Sequence, residues 1–379
     1  MAGIYIHIPF CKKKCNYCNF YSLASSRHLE DFEISLLKEI ELRKNYLDGE
    51  EIKTIYFGGG TPSLLTYEAL MKVFEKLQQT FIISSNPEIT LEANPDNLDS
   101  KKLKELRSTP VNRISIGTQS FFDDDLIYLK RIHNSAQTEA SVKRSQDAGF
   151  ENISIDLIYG IPTLTDDRWK ENLAISFGLD VTHISAYSLT IEPNTSLETL
   201  IRKGKAKPAD EEQSIRQYKI LMKEMKENNF IQYEISNFSK EGFISKHNSN
   251  YWKGLKYLGL GPSAHSYNLN SRQWNAADLL VYLNDIAIGK ISGEKEILSE
   301  TDKFNEYIMT SLRTMWGSDL NYLKRTFGNE LHDQILNKVD RYFEEEQMTN
   351  NNNVLQLTDK GKLFADGIAA ELFIDDVKI

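Results

Sequence analysis

Strand-like and helix-like segments alternate along this chain from Ile4 to Glu227, and this alternation limits its fold more than any other feature. Most of the strand-like segments are β-branched or aromatic runs bounded by Gly, Pro or Asn. The predicted strands are Ile4–Ile8, Thr54–Phe57, Glu88–Leu91, Arg113–Ile116, Asn152–Ile158 and His183–Ser188. The predicted helices between them include Leu29–Tyr46, Tyr67–Gln79, Ser135–Ala148 and Asp210–Glu227. Six such repeats predict a parallel sheet with right-handed crossovers, either an open barrel or a doubly wound sheet.

Polar or glycine-rich stretches follow most of the predicted strands. After the second to fifth strands they are Gly58-Gly59-Gly60-Thr61-Pro62, Glu92-Ala93-Asn94-Pro95, Gly117-Thr118-Gln119-Ser120 and Tyr159-Gly160-Ile161-Pro162. Chemistry gathered at the C-terminal ends of successive strands is typical of a TIM-like barrel. The sequence has no GxGxxG fingerprint, which disfavours the doubly wound dinucleotide-binding fold. We therefore expect a barrel-like α/β domain.

The only three cysteines of the 379 residues lie within one short segment, as Cys11, Cys15 and Cys18. An iron–sulfur cube normally takes four protein ligands, so three thiolates would leave one iron open to a small molecule. A structural zinc site is the weaker interpretation, because it needs a fourth ligand such as His7 or His28. An odd number of cysteines in so long a chain also argues against a disulfide framework. The cysteine spacing therefore predicts a three-cysteine [4Fe–4S] cluster.

The segment Ile6-His7-Ile8-Pro9-Phe10-Cys11, together with Cys15 and Cys18, resembles the start of radical S-adenosylmethionine (SAM) proteins. More narrowly, it resembles the branch that contains oxygen-independent coproporphyrinogen III oxidase and the HemW-type heme chaperones. This resemblance implies a partial (β/α)6 TIM-like barrel. It also implies that the open iron chelates SAM, whose reductive cleavage yields a 5′-deoxyadenosyl radical.

The same resemblance implies a set of residues that bind SAM. They are Tyr5, Gly59, Gly60, Thr61, Glu92, Gln119, Arg131 and Asp156. The glycines would let backbone amides approach the ligand, the carboxylates can accept from ribose hydroxyls, and the guanidinium can pair with the methionine carboxylate. Without the resemblance, three glycines after a strand are more often a turn than a binding site, and Glu92 could simply cap the next helix.

Two departures separate the chain from the oxidase pattern, which has a further cysteine two residues after the third. Phe20 occupies that position here, and only ten residues precede Cys11, where the oxidase has a longer segment. Both departures argue against decarboxylation of coproporphyrinogen. Whether the chain is an enzyme stays open at this point.

The segment His247-Asn248-Ser249-Asn250-Tyr251-Trp252 resembles the HNxxYW motif of the HemW-type heme chaperones. The resemblance implies heme binding, with His247 as the expected contact and the neighbouring aromatic rings covering the macrocycle. The alternative is a hydrogen-bonded histidine with both aromatic rings in the core. His265, in a glycine-containing segment that follows, is a second possible ligand. Covalent c-type attachment is excluded, because the chain has no Cys-x-x-Cys-His.

Three parts of the chain are expected: a radical SAM partial barrel over 1–235, a family-specific connecting region over 236–294, and a C-terminal domain over 295–379. The last resembles a small helical, winged-helix-like domain. Its predicted elements are helices at Phe304–Trp316, Leu320–Phe327 and Lys360–Ile374, a turn at Asn350–Asn353 and a strand at Val354–Leu357.

The charge balance is acidic, with 54 Asp and Glu against 45 Lys and Arg and a net charge of −9. This argues against a nucleic-acid partner, which would favour a basic surface. Lys12, Lys13 and Lys14 form a short basic patch that is either solvated or faces an acidic partner or an electron donor. We see no signal peptide or apolar membrane span, and the free cysteines favour a reducing cytoplasm. Peripheral contact with a membrane stays open.

The sequence thus favours a heme chaperone that binds heme, a [4Fe–4S] cluster and SAM, and delivers heme to a respiratory acceptor protein that the sequence does not name. An electron donor would be a further partner if radical chemistry occurs. The alternative is an oxygen-independent coproporphyrinogen III oxidase, which would use the radical to decarboxylate propionate side chains. A third hypothesis is a scaffold whose cluster is only structural.

Overall fold

A computed structural model describes residues 2–375 of the chain, so the predicted end points at 1 and 379 lie outside the described part. The strands are β1 Ala2–Ile8, β2 Ile52–Gly59, β3 Ile83–Ala93, β4 Arg113–Gln119, β5 Asn152–Tyr159, β6 His183–Ser188, β7 Ile231–Glu234, β8 Asn237–Ser239, β9 Tyr257–Leu260, β10 His265–Tyr267, β11 Ser271–Trp274, β12 Glu294–Ile297, β13 Ser318–Asp319, β14 Met348–Asn351 and β15 Val354–Leu357.

The helices are α1 Leu29–Leu42, α2 Tyr67–Thr80, α3 Ser100–Arg107, α4 Asp123–Tyr128, α5 Ser135–Asp147, α6 Asp166–Gly178, α7 Ser196–Arg202, α8 Glu211–Glu227, α9 Lys246–Trp252, α10 Leu279–Ala287, α11 Glu300–Leu312, α12 Leu320–Phe327, α13 Asn329–Glu344 and α14 Ala365–Leu372. Of the helices within residues 2–375, none has the length and apolar character needed to cross a bilayer.

The main sheet has the strand order β12-β11-β10-β9-β1-β2-β3-β4-β5-β6-β8-β7. Strands β1 to β6 are parallel and follow chain order, which confirms the predicted partial (β/α)6 TIM-like barrel. Strand β9 adds a parallel neighbour to β1, and β10 to β12 extend that edge with antiparallel pairing. The predicted connecting region therefore contributes strands to the same sheet.

The two faces of the barrel strands differ in chemistry. On β1, Ile4, Ile6 and Ile8 are fully buried in the main hydrophobic core with the surrounding helices. Burying each such side chain stabilises the fold by about 1.5–3 kcal/mol. Tyr5 lies on the opposite face, where its ring stacks on Tyr56 of β2 at 6.1 Å between centroids. The side chains that alternate with the core therefore line a largely polar barrel interior.

Local capping explains where several helices begin. Asn134 and Gln137 form a reciprocal capping box at the start of α5, and Thr66 accepts a hydrogen bond from the Ala69 amide at the start of α2. Each such cap satisfies amides that the first helical turn leaves unpaired, at about 1 kcal/mol per cap.

A second hydrophobic core lies in the C-terminal part of the chain. Phe304, Ile308, Leu323, Val339 and Leu355 are among its buried residues. It is built from α11 to α14 and a three-stranded antiparallel sheet of order β13-β15-β14, which is the predicted winged-helix-like arrangement.

This C-terminal part is joined to the main sheet by polar contacts. The amide of Ile235 donates to the Arg313 carbonyl at 3.1 Å. Arg272 of β11 also pairs with Glu306 of α11 at 2.7 Å.

Some predicted helix limits were wrong. The helix predicted for Leu29–Tyr46 ends at Leu42, and the chain turns toward β2 through the left-handed residues Asp48 and Gly49 (φ +52° and +74°). The helix predicted for Lys360–Ile374 is regular only over α14. It is preceded by a 3₁₀ turn at Gly361–Phe364, where the Gly361 backbone approaches Gln347 so closely that a Cβ would lie 1.9 Å from its carbonyl oxygen.

Candidate functional site

One cavity of about 400 Å³ lies at the C-terminal ends of the parallel strands. Its lining includes every residue predicted for the cluster and for SAM except Tyr5. These residues are Cys11, Cys15, Cys18, Gly59, Gly60, Thr61, Glu92, Gln119, Arg131 and Asp156. The structure therefore brings together side chains from five strand ends, as expected for parallel strands whose C-terminal ends face one edge.

The cysteine loop follows β1 and is closed at its base by backbone bonds. The Cys11 amide donates to the Leu23 carbonyl at 2.9 Å, and the Leu23 amide donates to the Pro9 carbonyl at 2.7 Å. Thr61 Oγ1 lies 3.6 Å from Cys11 Sγ, and Arg131 Nη1 lies 3.3 Å from Cys15 Sγ. The thiols therefore face hydrogen-bond donors at the cavity edge.

The donor set fits an iron–sulfur cluster. Burial raises the pKa of the Cys11 and Cys18 thiols, and a bound metal would deprotonate them. The Arg131 guanidinium supplies positive charge beside the thiolates. Within residues 2–375, no three His, Cys, Asp or Glu side chains are close enough to hold one metal ion. A cube does not require this, because each of its thiolates binds a different iron.

His7, a fourth ligand in the zinc interpretation, is engaged elsewhere. Its Nε2 lies 2.8 Å from the Tyr21 carbonyl, and its Nδ1 lies 3.1 Å from the Tyr5 hydroxyl. Burial lowers the pKa of His7 to about 4, so the ring is neutral at neutral pH. His7 therefore supports the floor of the site, and neither of its nitrogens is free for a metal.

The glycine-rich loop needs its glycines. Gly59 adopts φ +105°, and a Cβ there would lie 2.5 Å from the Cε1 atom of His7. A Cβ on Gly60 would lie 2.6 Å from the Phe10 carbonyl oxygen. Any larger residue at either position would displace the loop that borders the cysteines.

Glu92 sits at the end of β3 with both oxygens bonded. Oε1 accepts from the Tyr56 hydroxyl at 2.7 Å, and Oε2 accepts from the Gly59 amide at 3.1 Å. Burial, with a smaller contribution from nearby Asp156, raises the pKa of Glu92 to about 7 even though these two hydrogen bonds oppose the rise. The carboxyl group is thus held rigidly and titrates near neutral pH.

Asp156 projects from the interior of β5. Burial raises the pKa of Asp156 to about 6, even though hydrogen bonding to Ser185 and the charge of Arg113 oppose the rise. Ser115 Oγ lies 3.4 Å from its Oδ1. Arg113 is 1 % exposed, and its Nε has no hydrogen-bond partner among residues 2–375. This buried cation favours the ionised forms of Glu92 and Asp156.

Arg131 links the cysteine loop to the strand ends. Its Nη2 donates to Asn94 Oδ1 at 2.6 Å and to the Gly117 carbonyl at 2.7 Å. Gln119 ends β4 in a left-handed conformation with φ +69°, which bends the chain into the cavity lining. Both side chains could therefore reach a ligand bound against the cysteines.

Tyr5, the remaining residue predicted for SAM, does not line the cavity. Its ring lies directly beneath the glycine-rich loop, where a Cβ on Gly58 would be 2.9 Å from its Cε2 atom. In this arrangement Tyr5 supports the loop from below.

Sequence reasoning missed several residues that organise the site. Tyr56 bonds Glu92, Asn94 bridges Arg131 and Thr61, and Tyr17 lies 3.5 Å from Arg131 Nη1. Asn94 had a signal, since it follows a predicted strand at the same end as Glu92. The others depend on contacts between distant segments that no local pattern reveals.

His247 lies away from this cavity, toward the N-terminal ends of the strands. It is 2 % exposed, its Nδ1 lies 2.8 Å from Thr54 Oγ1, and its Nε2 lies 3.0 Å from the Tyr251 hydroxyl. Its ring stacks on Tyr56 at 4.9 Å, and burial lowers its pKa to about 3. Neither ring nitrogen is free in this arrangement.

The HNxxYW motif also has a structural role. It forms α9, whose Lys246 and His247 amides both donate to the Glu88 carboxylate at 2.9 Å. Asn250 Nδ2 donates to Thr54 Oγ1 at 3.2 Å. The motif therefore fixes a short helix against β2 and β3.

His265 differs from His247 in its surroundings. It is exposed on β10, and its ring stacks on Trp274 of β11 at 5.8 Å between centroids.

Residues 5–174 match the family model of the radical SAM superfamily. This match includes the cysteine loop and every cavity residue predicted for SAM. Membership of this superfamily implies a [4Fe–4S] cluster and SAM.

Proteins named heme chaperone HemW are similar over nearly the whole chain. The Bacillus subtilis protein is 33 % identical over 97 % of this chain and 98 % of its own length. The Lactococcus lactis protein is 31 % identical over 98 % and 97 %, respectively. The solved structure of Escherichia coli coproporphyrinogen III oxidase (HemN), a radical SAM enzyme, superposes with a TM-score of 0.85 at 20 % identity, covering 98 % of this chain and 90 % of that one. The chain therefore belongs to the heme chaperone HemW family of the radical SAM superfamily.

Proposed function

We propose that this protein is a heme chaperone that binds heme, a [4Fe–4S] cluster and SAM, and delivers heme to a respiratory acceptor protein. The observation that carries the proposal is the full-length similarity to proteins named heme chaperone HemW, at 33 % identity for the Bacillus subtilis protein. The convergence of the three cysteines and the strand-end side chains on one cavity supports the cofactor part of the proposal.

Different residues of the cavity would hold the cluster and SAM. Cys11, Cys15 and Cys18 would ligate the cluster. The glycine-rich loop offers backbone groups to the amino group of SAM, and the Arg131 guanidinium can pair with its carboxylate. When bound, the cluster and SAM supply a reducing electron and a source of the 5′-deoxyadenosyl radical.

The ribose would lie against Glu92 and Asp156. Both carboxylates face a buried cation, so at and above neutral pH they can accept hydrogen bonds from ribose hydroxyls. Tyr56 and the Gly59 amide hold Glu92 in place before any ligand arrives. This preorganisation lowers the cost of ordering the site on binding.

The oxidase is the second candidate, and the superposition with HemN is the observation in its favour. At 20 % identity that likeness concerns the fold alone. Phe20 argues against the oxidase, because it stands where the oxidase pattern has a fourth cysteine. Its side chain is 65 % exposed at the rim of the cavity. A phenylalanine cannot serve as a ligand or as a thiol, so that feature of the oxidase pattern is missing.

His247 was predicted to contact heme. We keep this assignment as a proposal, but it requires a local rearrangement of the structure. Because both of its ring nitrogens are hydrogen-bonded, Thr54 and Tyr251 would have to move before the ring could ligate iron. A heme contact through His247 therefore requires an opened form of α9.

An anaerobic assay distinguishes the two candidates. Cluster-reconstituted protein is incubated with SAM, a reductant and coproporphyrinogen III, and porphyrin products and 5′-deoxyadenosine are measured by mass spectrometry. The chaperone proposal expects unchanged coproporphyrinogen, and a parallel hemin titration should give saturable, stoichiometric binding. Catalytic decarboxylation would establish the oxidase, and absence of specific hemin binding would refute the chaperone.

A further inference from the structure

Glu92, which is proposed to face the ribose of SAM, is held by a tyrosine that is itself supported from elsewhere in the fold. Its Oε1 accepts a hydrogen bond from the Tyr56 hydroxyl at 2.7 Å. The hydroxyl lies at the far end of the tyrosine ring, so the direction of this hydrogen bond follows the tilt of the ring. A residue that fixes the Tyr56 ring therefore helps to fix the carboxylate.

Two aromatic rings pack against Tyr56. Tyr5, its register partner on β1, stacks at 6.1 Å between centroids with the planes inclined by 27°. His247 stacks at 4.9 Å with the planes inclined by 25°. Stacked pairs of this kind restrict the tilt of both rings. The histidine is the closer of the two supports, and it comes from α9.

The His247 ring is held at both nitrogens. Nδ1 lies 2.8 Å from Thr54 Oγ1, and Nε2 lies 3.0 Å from the Tyr251 hydroxyl. The Tyr251 ring also packs edge-on against the histidine at 5.1 Å between centroids. Strand β1 carries Gly3 at this level, and a Cβ there would lie 2.7 Å from Thr54 Oγ1. The imidazole therefore has little freedom to turn.

Helix α9, which carries His247, is anchored to the same strands as the SAM site. The Lys246 and His247 amides both donate to the Glu88 carboxylate at 2.9 Å. Glu88 lies on β3, the strand that ends next to Glu92. Asn250 Nδ2 donates to Thr54 Oγ1 on β2 at 3.2 Å. A shift of α9 along these strands would break all of these hydrogen bonds.

His247 acts on the SAM site through contact. The lining of the cofactor cavity includes neither His247 nor Tyr56. Burial lowers the pKa of His247 to about 3, so its ring is neutral at neutral pH and adds no charge to the barrel interior. The effect of the histidine on Glu92 is therefore transmitted by the packing of Tyr56.

We infer that His247 is a positioning residue for the SAM site, which fixes the Tyr56 ring and thereby holds Glu92 in place for the ligand. This inference rests on the SAM binding included in the proposed function, and it gives the HNxxYW motif a role that involves no heme. The role belongs to the arrangement in which α9 is closed, whereas a heme contact through His247 requires an opened form.

Binding of SAM to the cluster-reconstituted full chain, without heme, tests the inference. In equilibrium dialysis with labelled SAM, we expect His247→Ala to bind SAM about tenfold more weakly than wild type, because the hydrogen bond from Tyr56 to the carboxylate is no longer held in direction. His247→Gln can keep both polar contacts but has no ring, so it should shift the affinity in the same direction if alanine prevents folding. Thermal unfolding and the cluster absorbance verify that each variant is folded and loaded.

A double-mutant cycle with Tyr56→Phe separates positioning from a general loss of structure. Phenylalanine keeps the ring but has no hydroxyl, so fixing this ring no longer benefits Glu92. In that background His247→Ala should weaken SAM binding by less than about twofold more. His183→Ala is the matched control, because that ring is also fully buried and bonded at both nitrogens but packs on Tyr233. Any change in SAM affinity that it causes should be the same in both backgrounds.

The outcomes separate the inference from the function on which it rests. If wild type binds no SAM, the proposed function loses its SAM component. If wild type binds SAM and the folded His247 variants bind it equally well, only the inference is overturned. An equal loss of affinity from His247→Ala with tyrosine and with phenylalanine at position 56 would also overturn it, because the histidine would then act on the fold as a whole.

Discussion

Replacing Glu92 by glutamine should raise the free energy of unfolding at pH 8 and should also weaken the binding of SAM. The substitution preserves shape and both local contacts, because the amide oxygen can accept from the Gly59 amide while the NH₂ group donates to the Tyr56 hydroxyl oxygen. What it removes is the ability to carry a negative charge in a largely buried position. The change therefore isolates the charge of this side chain from its packing.

The expected gain in stability follows from the pKa of Glu92, which burial raises from 4.5 to about 7. Between these values the folded protein keeps a proton that the unfolded chain has lost, so its free energy of unfolding decreases as the pH rises through this window. Each pKa unit corresponds to about 1.4 kcal/mol, and after allowance for partial exposure the loss above pH 7 is about 2 kcal/mol. Glutamine removes this loss. The variant should thus be more stable than wild type at pH 8 and indistinguishable from it near pH 4.5.

The expected loss of affinity has a similar size. A hydrogen bond to a charged acceptor contributes about 1.5–3 kcal/mol, so SAM should bind about 10- to 100-fold more weakly to the variant. Both quantities are measured on cluster-reconstituted protein, by thermal unfolding without SAM at several pH values and by equilibrium dialysis with labelled SAM. Glu75→Gln, on an exposed position of α2, is the control and should change neither. Unchanged SAM affinity together with a pH-independent stability difference would refute this account of Glu92.

Three further substitutions test other parts of the site. Arg113→Gln removes the buried cation whose charge lowers the pKa of both Glu92 and Asp156, so both pKa values should rise. Because the ionised forms accept from the ribose, the pH at which SAM binding is half lost should move upward by about one unit in dialysis measurements. Gly59→Ala should lower the free energy of unfolding in denaturant by about 1–3 kcal/mol, since its φ is +105° and its Cβ would meet the ring of His7, whereas Gly178→Ala, with nothing within 4 Å, should not. Cys15→Ser should abolish the cluster absorbance and bound iron, and a folded variant that still delivers heme would favour a purely structural cluster.

The barrel could be predicted because its signal is local. In β5 the apolar residues Ile153 and Ile155 alternate with Ser154 and Asp156, and the strand ends in a turn sequence, so both the strand and the inward direction of Asp156 follow from the pattern. The cysteine loop was recognised from the spacing of its three cysteines, and the SAM residues at the strand ends were assigned from the family resemblance. Their convergence follows from the parallel arrangement of the strands.

The surroundings of the heme candidates could not be predicted, because they depend on contacts between distant segments. Glu88 caps α9 from more than 150 positions away. The ring nitrogens of His247 are bonded to Thr54, which is also distant in sequence, and to Tyr251. Strands β9 to β12 were also missed, since segments of three or four residues carry too little periodicity to be recognised. Because those strands were not predicted, the sequence analysis could not show that His265 lies exposed beside Trp274.

Heme transfer tests the central claim most directly. Cluster-reconstituted protein loaded with one equivalent of hemin is mixed under anaerobic conditions with membranes from heme-deprived bacteria, and the heme incorporated into respiratory cytochromes is followed by difference spectroscopy. The same concentration of free hemin is the control. A heme chaperone should transfer its heme to the cytochromes faster and more completely than free hemin does. Transfer no faster than from free hemin, or heme retained on the protein, would contradict the proposed function.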